Sequence, residues 1–169
     1  MEKTRSANNH NPKIGSASPQ QGPSVQNQCF LTETWVAFHE ADPAGILFFG
    51  RIFEHAHVAF EKFIQSSGMT WSDYFRTSPY LIPLRHVEAD YHRPFLPGQF
   101  YSVEVRVQKI GQSSFTMSYT FTEHKNPDVI HAKVQTVHTV LDKNTRSKIP
   151  VPLEIQNVLQ PFTSGETPA

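Results

Sequence analysis

An aspartate just ahead of an amphipathic segment is the residue best placed to do chemistry in this chain. The stretch reads Asp42-Pro43-Ala44-Gly45-Ile46-Leu47-Phe48-Phe49, and apolar residues at helical spacing follow it. A carboxylate can attack an electrophilic carbon or activate water. The free backbone N–H groups at a helix N-terminus can stabilise the oxyanion that forms in the same step. This order of residues favours attack on a polarised carbonyl.

Asp42 and Gly45 also have simpler interpretations as turn residues. Asp-Pro often opens a turn, and an aspartate side chain accepts backbone hydrogen bonds at turns and helix caps. Gly45 is either an ordinary loop glycine or a position that needs a positive φ or a close backbone approach. For Asp42 we favour the catalytic interpretation, because the whole eight-residue stretch and the following helix support it together.

His57 and Glu61 are four residues apart on the predicted helix, so their side chains are neighbours. In one hypothesis they line a substrate pocket or assist Asp42. In the other they form a buried, mutually satisfied pair that packs the helix against a sheet. We predict no metal site, because the sequence has no His-x-x-x-His spacing and no cysteine cluster.

The surrounding pattern predicts one long helix and a sheet. The helix is predicted over residues 49–66, with one apolar face made by Ile52, Phe53, Ala56, Ala59, Phe60, Phe63 and Ile64, and Gly68 as its stop. Strands are predicted at 30–38, 81–92, 99–110, 113–124 and 129–142, with a helical turn at 71–75 and a short helix at 153–159.

Short turns are predicted at Gly111-Gln112 and at Asn126-Pro127-Asp128. Strands joined by such turns are antiparallel neighbours, so the last four strands are expected to lie side by side in chain order. A helix with a wide aromatic stripe needs a broad surface, and the sheet supplies it. The expected class is α+β, with a long helix on an antiparallel sheet of about five strands.

Length and composition predict one domain, over residues 28–162 of the 169. Residues 1–27 are rich in Ser, Asn, Gln, Pro and Gly, and we expect a disordered tail there and a flexible C-terminus at 163–169. The formal net charge of zero predicts no nucleic-acid partner. The sequence has no apolar run of about 20 residues, so no membrane span is expected. The single cysteine, Cys29, is compatible with the cytoplasm, which is the expected location.

The Asp42–Phe49 stretch resembles the 4-hydroxybenzoyl-CoA thioesterase family of hotdog proteins. In that family an Asp-x-x-Gly-aliphatic-x-aromatic-aromatic segment follows the first strand and opens the central helix. The element order from about residue 30 to 142 and the segment Tyr91-His92-Arg93-Pro94-Phe95-Leu96-Pro97-Gly98 are also similar. The resemblance implies a hotdog fold, in which a curved antiparallel sheet wraps a long central helix.

The resemblance further implies hydrolysis of an acyl-CoA thioester to a free acid and CoA, without a cofactor. Asp42 matches the catalytic carboxylate, and the backbone N–H of Phe49 matches the group that polarises the carbonyl. We expect Gly45, Phe48, His57 and Glu61 to bind substrate, with an aromatic or a short to medium acyl group. Hotdog proteins also pair subunits, so a homodimer or homotetramer is expected. The sequence departs from the family at Phe49, often Tyr, and at Ile52-Phe53, often Asn-Tyr.

Two other functions fit parts of the same pattern. A non-catalytic module that binds acyl-CoA would share every feature except the need for the charge of Asp42. The segment from His92 to Gly98 also resembles the His-x-Pro…Pro-Gly segment of hotdog hydroxyacyl-thioester dehydratases, although it precedes a strand here rather than the central helix. Five basic residues are either CoA phosphate ligands or solvated side chains: Arg85, Arg93, Arg106, Lys109 and Lys133.

Overall fold

The computed structural model describes residues 28–163. Its central helix is α1 (Ile52–Ser66). A 3-10 turn, Phe49–Arg51, leads into it. The predicted apolar face is confirmed: all seven positions are buried except Phe53, which is half-buried, and His55 joins them. The helix ends where Gly68 adopts φ +84° and donates its N–H to the Gln65 carbonyl at 3.0 Å, so the predicted stop is also confirmed.

The part of the chain that the structure describes contains seven strands: β1 (Phe30–Trp35), β2 (Tyr80–Leu81), β3 (Leu84–Tyr91), β4 (Phe100–Ile110), β5 (Ser114–Glu123), β6 (Asn126–Thr139) and β7 (Leu141–Asp142). Five of them form one antiparallel sheet in the order β1-β4-β5-β6-β3, and β2 pairs with β7 in a second, smaller sheet. Alternate residues of β4 and β5 are buried with α1 in one core, as period-two patterning requires.

A short C-terminal helix, α2 (Leu153–Leu159), closes the core and confirms the helix predicted there. Its Ile155 and Leu159 are buried. A further 3-10 turn, Gln160–Phe162, places the Phe162 ring 5.0 Å from that of Phe63 on α1, in an edge-to-face arrangement.

The expectation that the last four strands are neighbours in chain order is wrong at β3. β3 pairs with β6 at one edge of the sheet, whereas β4 lies between β1 and β5. The connection between β3 and β4 spans residues 92–99, contains Pro94 and Pro97, and is too long for a tight hairpin. It therefore carries the chain from the edge strand β3, past β6 and β5, to β4 near the opposite edge of the sheet.

Several predicted boundaries also shift. The first strand ends at Trp35 and is followed by a 3-10 turn, Phe38–Glu40. The hairpin turn expected at Asn126-Pro127-Asp128 lies instead at His124-Lys125, where Lys125 adopts φ +60°, and Pro127 is near the start of β6. The strands predicted at 81–92 and 129–142 are each broken in two, the first around Pro83. The helical turn expected at 71–75 is a π-helical turn, Ser72–Thr77.

The expected tail, residues 1–27, and nearly all of the expected flexible C-terminus lie outside the described residues. Thr163, the first residue of that expected C-terminus, forms an isolated parallel bridge with Val107 of β4.

Candidate active site

A tight loop carries Asp42 to the start of the central helix. An isolated antiparallel bridge between Ala41 and Leu47 closes it, and the Asp42 N–H donates to the Ile46 carbonyl at 2.8 Å. The Gly45 N–H donates to the Asp42 carbonyl at 2.9 Å. Gly45 adopts φ +77°, and a Cβ there would meet no atom within 4 Å. The positive φ, rather than lack of space, explains the glycine, so of the two structural interpretations of Gly45 the positive φ is the one confirmed.

The Asp42 side chain is half-buried and holds part of this loop in place. Its Oδ1 atom accepts a hydrogen bond from the Ala44 N–H at 2.8 Å, which is an Asx turn. The turn role considered from the sequence is therefore real. It leaves Oδ2 without a hydrogen-bond partner in the part of the chain that the structure describes. One carboxylate oxygen shapes the loop while the other stays available.

The start of the helix presents a free backbone donor. The Phe48 N–H donates to the Glu40 carbonyl at 2.9 Å, and the Arg51 N–H donates to the Phe48 carbonyl at 2.9 Å. The N–H of Phe49, between them, finds no acceptor among residues 28–163. The Tyr91 hydroxyl donates to the Phe49 carbonyl. Burial raises the pKa of Tyr91, so the hydroxyl stays protonated and can keep that donor role.

Asp42 and Phe49 line one pocket. Its volume is about 370 Å³, and its wall consists of Asp42, Ile46, Leu47, Phe49, Tyr91, His92, Arg93, Pro94 and Phe95. The Leu47 N–H donates to the Phe95 carbonyl at 2.9 Å, which ties the loop before the helix to the β3–β4 connection. The wall combines one carboxylate and one guanidinium with apolar and aromatic side chains. Such a surface suits a ligand with a flat apolar group and a polar reacting centre.

Arg93 supplies the guanidinium of this wall. One of its Nη atoms donates to the Ile130 carbonyl at 2.7 Å, which fixes the side chain against β6. The same residue lines a neighbouring groove of about 620 Å³. The sequence marked Arg93 as one of five basic candidates and as part of the family-like segment 91–98, but no local pattern relates it to Asp42.

The other predicted site residues lie elsewhere in the protomer. The Phe48 ring packs 4.6 Å from that of Phe49 but is not part of the pocket wall. His57 Nε2 lies 3.2 Å from Glu61 Oε1, so the predicted contact exists. The hypothesis that this pair is buried is wrong, since the two side chains are 46% and 33% exposed. Glu61 lines a different, narrow groove that also includes Trp71, Tyr74 and Phe75.

A buried polar cluster beneath the loop was missed. His55, on α1, contacts the Thr34 hydroxyl through Nδ1 at 2.6 Å, and its Nε2 lies 3.3 Å from Glu40 Oε1. Burial lowers the pKa of His55, and the nearby Glu40 carboxylate opposes that shift. The helical spacing of His55 from Ile52 and Ala59, both on the buried face, was the available signal.

Among residues 28–163, no three His, Cys, Asp or Glu side chains come together in an arrangement that could hold a metal ion. None of the helices described in this range is long and apolar enough to cross a membrane.

Comparison with known proteins gives a family that agrees with this geometry. Residues 36–159 match the thioesterase-like superfamily. The chain is 30% identical to the 1,4-dihydroxy-2-naphthoyl-CoA hydrolase of Nostoc punctiforme over 131 residues, which is 78% of this chain and 86% of the relative. It is 29% identical to the enzyme of the same name from Synechococcus elongatus over 126 residues, 74% of this chain and 90% of the relative.

The fold has matches among solved structures as well. A 1,4-dihydroxy-2-naphthoyl-CoA thioesterase from Synechocystis superimposes with a TM-score of 0.73 at 22% identity, covering 79% of this chain and 96% of that one. The chain belongs to the thioesterase-like superfamily. The predicted hotdog fold and the predicted class of enzyme, an acyl-CoA thioester hydrolase, are confirmed.

Proposed function

We propose that this protein hydrolyses an aromatic acyl-CoA, of the size of a naphthoyl thioester, in the pocket lined by Asp42 and Phe49. The observation that carries the proposal is the meeting, in one pocket, of a carboxylate with a free oxygen and the start of a helix with a free N–H. Two relatives named as 1,4-dihydroxy-2-naphthoyl-CoA hydrolases support the aromatic acyl group. The rings of Phe49, Tyr91 and Phe95 in the wall suit the same group.

The reaction begins when the thioester oxygen accepts a hydrogen bond from the Phe49 N–H, at the positive end of the helix dipole. In one route Asp42 removes a proton from water while the water oxygen bonds to the thioester carbon. The resulting oxyanion then reforms the carbonyl and breaks the C–S bond. The CoA thiolate leaves and takes up the proton that Asp42 received from water, which restores the carboxylate, and the other product is the free acid.

A second route to the same products uses Asp42 as the nucleophile. A carboxylate oxygen bonds to the thioester carbon, the CoA thiolate leaves, and a mixed anhydride remains on the enzyme. Water then cleaves the anhydride and regenerates the carboxylate. Trapping of the anhydride under single-turnover conditions, or incorporation of labelled oxygen into Asp42, distinguishes this route from attack by water.

The assembly that we propose is a homodimer, or a tetramer made of two such dimers, that forms along β3. β3 is an edge strand, and most of its side chains are exposed on both faces, including Leu84 and Val87. Its last residue, Tyr91, lines the Asp42 pocket, so a second copy along this edge would border that pocket. Such a copy is also the available source of His57 and Glu61 as substrate-binding groups. A monomer in sedimentation equilibrium at assay concentrations would contradict the assembly. We place the enzyme in the cytoplasm.

Asp42→Asn tests the catalytic proposal directly. Asparagine keeps an oxygen that can accept the Ala44 N–H but has no basic or nucleophilic carboxylate. We expect kcat to fall by at least about 100-fold, the lower range for loss of an acid–base group. Substrate binding should persist, because the helix start and the pocket wall remain. The measurement is thiol release from 1,4-dihydroxy-2-naphthoyl-CoA, benzoyl-CoA and straight-chain acyl-CoAs.

Asp142→Asn is the matched control for this substitution. Asp142 is also a turn aspartate, since its Oδ1 accepts the N–H groups of Asn144 and Thr145 at 2.9 and 2.7 Å. It lies outside the pocket wall, so its kcat should equal that of the wild type. Near-normal turnover in folded Asp42→Asn would end the proposed mechanism. Binding of acyl-CoA by the wild type without cleavage of any member of the panel would favour the non-catalytic module instead.

A further inference from the structure

The buried cluster of Thr34, Glu40 and His55 takes no part in the mechanism described above. The Glu40 and His55 side chains are only 11% and 9% exposed. Neither residue belongs to the wall of the Asp42 pocket. Burying a carboxylate is costly unless partners satisfy it, so a carboxylate kept at this position calls for an explanation.

Glu40 is bonded on three sides. Its Oε2 atom accepts the Ala37 N–H at 2.7 Å, and its backbone carbonyl accepts the Phe48 N–H at 2.9 Å. Its Oε1 atom lies 3.3 Å from His55 Nε2. That last contact is electrostatic rather than an aligned hydrogen bond, because the geometry leaves Nε2 without a bonded acceptor within residues 28–163.

These contacts link three elements of the fold, and they act on both ends of the segment from Glu40 to Phe48. Thr34 is on β1, Glu40 ends the 3-10 turn two residues before Asp42, and His55 is on the first turn of α1. The Phe48 N–H that Glu40 binds immediately precedes Phe49 in the chain. The cluster therefore restrains both the residue that carries the carboxylate and the residue that carries the free N–H.

We propose that Glu40 and His55 are positioning residues that set the separation of the Asp42 carboxylate and the Phe49 N–H for thioester hydrolysis. This inference rests on the proposed function. Neither side chain touches the substrate, and both act through the backbone of residues 37–49. A displacement of about 1 Å between reacting groups can cost about 100-fold in rate, so a contact that fixes this segment has a kinetic effect larger than its effect on stability.

Polar and charged groups face His55 from several elements. Glu40 and Thr34 face the ring from other elements, and Glu54 and Arg51 are the charged groups near it along the helix and its preceding turn. Burial lowers the pKa of His55, which favours the neutral ring, and the ring places Nδ1 at the Thr34 hydroxyl and Nε2 toward Glu40.

Glu40→Gln is the decisive variant, because glutamine can still accept the Ala37 N–H and the backbone bond to Phe48 is unchanged. We expect kcat to fall about 10-fold while KM changes less than about threefold. Glu33→Gln is the matched control. Glu33 is on the same strand as Thr34, its side chain is exposed, and its Oε1 lies 3.2 Å from Nδ1 of the half-buried His124. Its substitution should leave kcat unchanged.

The Asp42→Asn background separates positioning from a general structural role. If Glu40 acts through Asp42, the added Glu40→Gln change should lower the residual rate by less than about threefold. A repeated 10-fold loss in that background would overturn the proposal, as would wild-type kcat in Glu40→Gln alone. If Asp42→Asn itself has wild-type activity, the proposed function fails whatever Glu40 does.

A second variant covers the case in which Glu40→Gln does not fold. Thr34→Val keeps the shape of the side chain but removes the hydroxyl that His55 contacts at 2.6 Å. We expect a smaller fall in kcat, about threefold, with KM unchanged. Wild-type kcat in a folded Thr34→Val protein would then overturn the positioning role.

Discussion

Two buried histidines, one in the first turn of α1 and one packed against its middle turns, have different neighbours. His55, in the first turn, lies against a carboxylate and a hydroxyl. His138, on β6, is stacked on the rings of Phe60 and Phe115, with ring centroids 4.7 and 4.8 Å apart. Within residues 28–163, the one hydrogen-bond contact of its ring is with the Thr136 hydroxyl, 3.0 Å from Nε2.

The difference separates two ways of holding one helix. Around its middle turns, α1 is held by close aromatic packing, and the histidine there serves as one more flat ring. At its first turn the helix is held by polar contacts that fix the direction of a backbone segment. We therefore expect changes in the middle to reduce stability and changes at the first turn to reduce turnover. Three predictions test this contrast.

Phe60→Ala should have the largest effect on stability. The Phe60 ring packs 5.9 Å from Tyr74, 6.4 Å from Phe115 and 4.7 Å from His138, and its removal leaves a cavity. We expect the free energy of unfolding to fall by about 3–5 kcal/mol. Urea denaturation measures the loss, and Phe60→Leu, which refills part of the cavity, should lose less. The folded fraction should keep kcat within about threefold. A loss below about 1 kcal/mol would mean that the buried face is misassigned.

The second-largest expected effect is the contribution of His138 to the pH dependence of the free energy of unfolding. Burial lowers its pKa from 6.5 to about 4, and the nearby His57 adds a smaller lowering. The unfolded state therefore binds a proton as the pH falls through 6.5, whereas the folded state binds it only near pH 4. Stability is full above about pH 6.5 and is lost toward pH 4, by about 3 kcal/mol from this group.

His138→Phe isolates this contribution, because phenylalanine keeps the stacked ring but does not titrate. Burial also lowers the pKa of His55, so the pH dependence of the wild type alone would not separate the two histidines. The slope of unfolding free energy against pH between 6.5 and 4 should be smaller in the variant. Equal slopes in the two proteins would show that His138 takes up its proton in the folded state near its ordinary pKa.

The parts of the fold that were predicted correctly are those that nearby residues specify. The apolar spacing of α1, the stop at Gly68 and the positive φ of Gly45 each follow from a few neighbouring positions. The place of β3 beside β6 does not, because strand order depends on pairing between distant segments. The sequence of residues 84–91 does not indicate which strand they pair with.

The candidate site divides in the same way. Asp42 and Phe49 both lie in the eight-residue stretch that resembles the thioesterase family, so the sequence alone singled them out as candidates. Tyr91, at the end of β3, and Arg93, in the β3–β4 connection, reach the same pocket only in the folded chain. Glu40 likewise meets His55 only after the chain has turned back on itself. His57 and Glu61 were chosen because their helical spacing is visible locally. That spacing predicted their contact correctly but not their exposure.

The smallest expected effect on stability is that of His57→Ala. The His57–Glu61 pair has the same chemistry as His55–Glu40 and a similar separation, 3.2 Å, but it is exposed and lies within one helix. Exposed pairs at this spacing contribute about 0.3–0.5 kcal/mol, so urea denaturation at pH 7 should show a loss below about 0.5 kcal/mol.

Under the proposed substrate-binding role of His57, the same variant should raise KM for the aromatic acyl-CoA about threefold or more, with kcat nearly unchanged. Lys125→Ala, a change at an exposed turn outside the pocket wall, is the control, and it should alter neither constant. A loss of stability above about 2 kcal/mol would make the pair structural after all, and an unchanged KM at normal stability would remove His57 from the binding site.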